Sequence, residues 1–149
     1  LAQLIAQAGD SARGHEIFRT KGTCIKCHQI RREGKQVGPS LAEIGSKLTR
    51  EAMFVSILDP SAGISHNFES YQAILHDGTI FTGLLISETD DSVTLKSAEA
   101  IERIIPKSDI EELLKQKISL MPADLQKTMT AQELVDVVQF LATLKKPSE

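Results

Sequence analysis

Between about Phe68 and Ile118 the apolar residues recur at every second position, whereas on both sides of that stretch they recur at every third or fourth. A chain with this change of period folds as helices, then strands, then a helix, which is an α+β arrangement. Before the switch, Asp10 or Ser11 caps a helix whose buried stripe is Gly14, Ile17 and Phe18 and which ends near Gly22. Thr49 opens a second helix carrying Met53, Phe54, Ile57 and Leu58, and Asp59-Pro60 stops it. After the switch, Thr130-x-x-Glu133 is a capping box ahead of a helix with Leu134, Val137, Val138, Leu141 and Leu144 on one stripe. The alternating stretch reads as Tyr71 to His76, a hairpin turn at Asp77-Gly78, Thr79 to Ile86, Ser92 to Lys96 and Ile101 to Ile105. Glu112 to Ile118 reads as a fifth strand, with a short helix introduced by Ser108-x-x-Glu111 as the alternative. The opening Leu1 to Ala8 is weakly amphipathic and ends at Gly9, as the tail of an upstream linker would. A start at Leu1 without Met reads as a processed protein or a piece of a longer one.

At 149 residues the chain suits one core carrying a sizeable insertion. Aromatic residues make up 4% and Trp is absent, so that core relies on aliphatic side chains or on a large bound cofactor. Apolar runs such as Gly83-Leu84-Leu85-Ile86 are far too short to cross a bilayer, so no membrane insertion is expected. Seventeen basic against twenty acidic side chains leave a formal charge of −3, without the basic excess of a nucleic-acid binder.

Cys24-Ile25-Lys26-Cys27-His28 is the attachment pattern of a c-type haem. Two thiols at this spacing reach the two vinyl groups of one porphyrin, and the adjacent His is left beneath the ring to ligate iron. The competing readings are a zinc half-site, which needs two more ligands at comparable spacing, and a redox dithiol, which suits a βαβ context; the sequence shows neither. For a sixth iron ligand, Met53 lies on a helix stripe and Met129 at a capped helix start, where packing roles fit better. Met121 precedes Pro122, which forbids helix continuation and lets the thioether project from an extended loop. A second His, from His15, His66 or His76, and an open sixth position are the alternatives.

Around this motif the chain resembles a class I c-type cytochrome. The carrying residues are Gly14-x-x-x-Phe18, the pair Phe140-Leu141 on the last helix, and Gly38-Pro39-x-Leu41. More narrowly, Gly38-Pro39-Ser40-Leu41, Ile57-Leu58-Asp59-Pro60-Ser61, Asp77-Gly78 with Gly83-Leu84, and Ser119-Leu120-Met121-Pro122 resemble the C-terminal haem-binding cytochrome c domain of large planctomycete and verrucomicrobial proteins. The resemblance spans about Gly14 to Leu144, and His66-Asn67-Phe68 departs from it where that family more often has Gly-Tyr. It implies a mainly α cytochrome c fold with an inserted antiparallel β subdomain. Residues 1–9 are then a linker, 10–67 the first part of the core, 68–118 the insertion, and 119–146 the axial Met loop with the C-terminal helix.

It also implies one haem c attached through two thioethers at Cys24 and Cys27, with His28 and Met121 as iron ligands and the Pro39 carbonyl orienting His28. The expected function is electron transfer rather than catalysis, relayed from a redox partner or a fused upstream domain, in the periplasm where such haem attachment is made. A haem enzyme or gas sensor with a labile sixth ligand is the alternative, and a docking module whose haem only relays electrons is a third reading. Arg19, Lys21, Lys26, Arg31, Arg32 and Lys35 crowd the motif against Glu33 alone, a basic rim suited to acidic partners or a solvated loop. The strand edges of the insertion offer a route to a homodimer.

Overall fold

A computed structural model describes residues 1–147. Among the described residues there are five α-helices: α1 (Ala2–Ala6), α2 (Ser11–Arg19), α3 (Ile44–Lys47), α4 (Arg50–Leu58) and α5 (Ala131–Thr143). Between α4 and α5 the chain forms strands β1 (Ser70–Leu75), β2 (Ile80–Glu88), β3 (Ser92–Lys96), β4 (Glu102–Pro106) and β5 (Ile110–Lys115). The three longer helices start where side chains satisfy free N–H groups. Asp10 accepts from the Arg13 amide, Thr49 from Ala52, and Thr130 with Glu133 closes a reciprocal capping box.

The principal helix packing is α2 against α5. A Cβ on Gly14 would land on the Asp136 carbonyl, so only glycine lets the two backbones approach this closely. Phe18, fully buried, meets Phe140 edge to face with centroids 5.7 Å apart. Met53, Phe54 and Ile57 of α4 complete the cluster against Leu134, Val138 and Leu141. α3 is one short turn whose Gly45 sits against the Ala142 carbonyl, and its amide donates to Leu144 O at 2.7 Å.

Residues 1–9, expected as a linker, are docked on this core. Leu4 and Ile5 pack against it, and the Arg50 guanidinium donates to the carbonyls of Ile5 at 2.8 Å and Gln7 at 2.6 Å while lying over the Phe54 ring. A Cβ on Gly9 would be 2.8 Å from Val135 O, which brings this segment directly onto α5.

The sheet is antiparallel, in the order β4-β3-β2-β1-β5. Its alternation puts Ala73, Val93, Leu95 and Ile105 on one face as a second apolar cluster, with Tyr71, Phe81 and Leu113 around it. Arg103, on that same face, stacks its guanidinium 4.3 Å over the Phe81 ring. The edge strands β4 and β5 are joined by a single 3-10 turn, Lys107–Asp109. Five strands laid flat would separate the outer two by about 19 Å, and the connector reaches about 15 Å at most, so the sheet curls until its edges converge. Register shifts at Ile74/Leu75 and Leu85/Ser87 add to that twist.

The fifth strand begins and ends earlier than its apolar pattern suggested. It starts directly after the connector, and past Lys115 the chain is already leaving the sheet: Gln116 N donates to Ser70 O at 2.8 Å, and Ile118 is 71% exposed. Ile101 likewise falls in a turn rather than in β4.

Candidate functional site

Cys24, Ile25 and Lys26 form one turn of 3-10 helix entered from Thr23 in the left-handed region, and the amides of Cys27 and His28 donate to Cys24 O at 3.1 and 2.8 Å. This turn sets the two thiols and the imidazole on a short rigid segment. The following loop folds back along it: Lys35 N donates to Ile25 O, Val37 N and Gly38 N to Cys27 O, and Leu41 N to Gln29 O. Gly34, at φ 92°, allows the reversal, because a Cβ there would strike His28 O.

The loop exists to hold one imidazole. His28 Nδ1 is 2.7 Å from Pro39 O, so the Nδ1–H donates to that carbonyl and Nε2 keeps its lone pair. A Cβ on Gly38 would sit 2.6 Å from His28 Cε1, so the loop lies flat against the ring and fixes its plane. Burial pushes the His28 pKa below its ordinary value, and the Pro39 hydrogen bond only partly opposes this, so the ring is neutral at pH 7. A neutral imidazole with one fixed N–H is the form a metal requires.

Both thiols are free and half-buried. Burial pushes the Cys24 thiol up to about 11, and burial with the Glu99 carboxylate raises Cys27 against the pull of Lys35 and Lys26. Protonated thiols are poor nucleophiles, which speaks against the redox-dithiol reading. Among the described residues no group of three or more His, Cys, Asp or Glu is placed to hold a metal ion, so the zinc half-site finds no completing ligands.

The methionines separate clearly. Met53 is 3% exposed inside the core. Met121 and Met129 remain half-buried, packed on the helical cluster together with Cys24, Ile25 and Leu41. The methyl of Met129 and the sulfur of Cys24 both border Gly22, a contact that no local pattern in the sequence announces. The Met121 segment is anchored from two sides: Ser119 N donates to Ser61 Oγ at 2.9 Å, and Ser119 Oγ accepts from Met121 N at 3.1 Å. Of the remaining histidines, His15 stacks on Phe140 at 4.4 Å and meets Glu33 Oε2 through Nε2 at 3.0 Å. His66 and His76 are exposed.

Haem fits this arrangement on two observations. Cys24, Ile25, Leu41, Met121 and Met129 each pack on the helical core and stay partly uncovered, apolar and sulfur-bearing side chains of the kind a porphyrin covers. In the segment between the two methionines, Gln126 Oε1 is buried without a hydrogen-bond partner, a cost that a polar group of a bound ligand would remove. A separate cleft of about 410 Å³ lies between Gln36, Val37, Gly38, Ser40, Phe68 and Leu84–Ile86; it includes neither cysteine, nor His28, nor Met121.

Of the six cations counted around the motif, Arg19 pairs with Glu33 and Lys21 with Glu133, whose side chains belong to the loop and to α5. Lys26, Arg31, Arg32 and Lys35 form no ion pair among the described residues.

Residues 11–76 match the family model for cytochrome c. No curated protein matches the chain. The matched region is less than half of the sequence, holds the haem motif and the His28 loop, and ends just past β1. It supports a c-type cytochrome, a family that implies covalently bound haem c and haem-based electron transfer.

Proposed function

We propose that the chain is a periplasmic electron carrier of the class I type, holding one haem c through Cys24 and Cys27 with His28 and Met121 as axial ligands. The observation that carries this reading is the His28 Nδ1–Pro39 O hydrogen bond of 2.7 Å beside the flat Gly38 backbone. It fixes the tautomer and the ring plane and leaves the Nε2 lone pair free for a metal. When bound, the haem supplies a one-electron Fe(III)/Fe(II) couple. The chain's part is to keep His28 neutral and oriented, to hold the thiols on one rigid turn, and to place Met121 by the Ser61 and Ser119 hydrogen bonds. Support for Met121 over a second histidine comes from the surroundings of each: Met121 packs half-buried on the helical core, His15 is engaged by Phe140 and Glu33, and His66 and His76 face solvent.

In this reading the sheet is an insertion into a cytochrome c core, and electrons pass between the haem and a redox partner or a fused upstream domain. The unpaired Lys26, Arg31, Arg32 and Lys35 favour an acidic partner and give rates that fall as salt rises. The edge strands β4 and β5 of the sheet offer the route to a homodimer.

The test is expression with a cytochrome maturation system, followed by protein mass and absorption spectra. The reading expects a covalent mass gain of one haem, a near-infrared sulfur-to-iron(III) band, and loss of that band in Met121→Ala with a lowered reduction potential. A band that survives Met121→Ala overturns the ligand, and carbon monoxide binding to the unaltered reduced protein favours the sensor or enzyme reading.

A further inference from the structure

The turn between β3 and β4, residues 97–101, comes from the β4 side of the sheet and reaches the haem motif. Cys27 Sγ lies 3.9 Å from Ala98 O, within reach of a weak S–H donor. One residue before the turn, Lys96 Nζ donates to Gln36 O at 2.6 Å, so the base of the hairpin is tied to the loop that holds His28. The turn itself is stiff. Ser97 N donates to Ile101 O and Ala100 N to Ser97 O, both at 3.0 Å, and Ser97 Oγ accepts from the amides of Glu99 and Ile101. Ala100 is held at φ 66°, a conformation that a non-glycine residue keeps only when its surroundings impose it.

Glu99 stands on this turn, exposed, directly after the Ala98 carbonyl that meets the Cys27 sulfur. Two cations share this edge: Lys26 lies in the same 3-10 turn as Cys24, and Lys35 is bound to that turn through its amide on Ile25 O. A rim that is otherwise cationic therefore carries one carboxylate at the outer cysteine, delivered by the sheet from 72 positions down the chain rather than by the loop around the motif.

We infer that the β3–β4 turn is a fixed cover over the Cys27 edge of the haem site, and that Glu99 on it selects the charge of the molecules that exchange electrons there. This rests on the haem reading above. With Ala98 against the outer sulfur, a donor approaching that edge meets the turn before it meets the porphyrin, and its charge is read by Glu99 against Lys26 and Lys35. Each exchange moves one electron from the donor to Fe(III). Ascorbate leaves as its radical with its proton passing to buffer, and hexaammineruthenium(II) leaves as the ruthenium(III) ion.

The experiment compares the haem-loaded protein with Glu99→Lys and with a variant in which Ala98-Glu99-Ala100 is replaced by Asp-Gly, which shortens the turn and keeps one carboxylate on it. Stopped-flow reduction by the ascorbate anion and by the hexaammineruthenium(II) cation is read alongside reduction potentials. At low ionic strength Glu99→Lys should speed ascorbate and slow the ruthenium complex by about two- to tenfold each, with both effects fading as salt rises. The shortened turn should speed both donors, since it uncovers the edge. Rates for Glu99→Lys that do not move, or that move in the same direction for both donors, overturn the selectivity, and an unchanged rate for a shortened turn that retains covalent haem overturns the cover. Mass spectra taken first separate the two readings: absence of covalent haem in the unaltered protein overturns both, whereas haem present with unmoved rates overturns this inference alone.

Discussion

In the helical part, Cys24, Ile25, Leu41, Met121 and Met129 rest on the core yet stay partly exposed, whereas in the sheet Ala73, Val93, Leu95 and Ile105 are closed off by strands alone. The helices bury their own stripes well; Phe18, Phe54 and Val138 are completely enclosed. Among the side chains they leave partly open are the three sulfur-bearing ones Cys24, Met121 and Met129. The sheet leaves no comparable opening on its inner face, because its curl brings the outer strands together over the apolar cluster. The difference is that of a core completed by a cofactor and a core completed by topology, and each prediction below acts on one side of it.

The largest effect belongs to the cofactor side. Cys24→Ala or His28→Ala should prevent stable haem incorporation and loosen the helical packing with it, since a ligand that binds only the folded state stabilises that state. The sheet should persist. Amide hydrogen exchange by residue checks this: protection lost over α2 and α5 but kept over β1 to β4 fits the comparison, and loss everywhere breaks it.

Next come substitutions that strike each core from within. Gly14→Ala forces a methyl onto the Asp136 carbonyl and should cost about 3 kcal/mol with a weakened haem spectrum. Leu95→Ala, at a site only 2% exposed, should cost about 2 kcal/mol in the sheet with the haem spectrum unchanged. Thermal melts followed at the haem band and in the far ultraviolet distinguish the two.

The smallest effect is electrostatic. His15 and Arg19 hold the Glu33 carboxyl below its ordinary 4.5, the His15 hydrogen bond being the larger cause. A depressed folded-state pKa means that the tie between α2 and the His28 loop is fully present above about 4.5 and is lost as pH falls through the lower folded value. Glu33→Gln should therefore lower the urea midpoint slightly at neutral pH and leave it unchanged in strong acid. An equal loss at both pH values would show that packing, not charge, carries the tie.

Much of this was legible in sequence, for reasons that are local. The bounds of α4 follow from Thr49 and Asp59-Pro60, the start of α5 from Thr130 and Glu133, and the first hairpin from Asp77-Gly78. The haem motif and its Gly38-Pro39 turn could be read directly, because spacing and chemistry are adjacent there. α3 escaped because a four-residue helix has no periodicity to display and owes its place to Gly45 crossing the end of α5. The start of β5 was displaced because the connector between the sheet edges, not the apolar pattern, sets it. Met129 bordering Gly22 and Ala98 beside Cys27 join distant positions, and nothing in either short segment encodes the other.

The chain enters and leaves the sheet at one place: Gln116 N donates to Ser70 O, and Ser70 Oγ donates to Ile118 O at 3.0 Å. Once that clasp forms, the polymer between α4 and Met121 behaves as a short tether, and the strands contribute nothing to its contour. Shortening the loop between Leu58 and Met121 from about 62 free residues to about 17 lowers the entropy lost in bringing Met121 to the helices by about 1 kcal/mol. A sheet that folds first therefore acts on the helical part before touching it, by shrinking the search that Met121 must make.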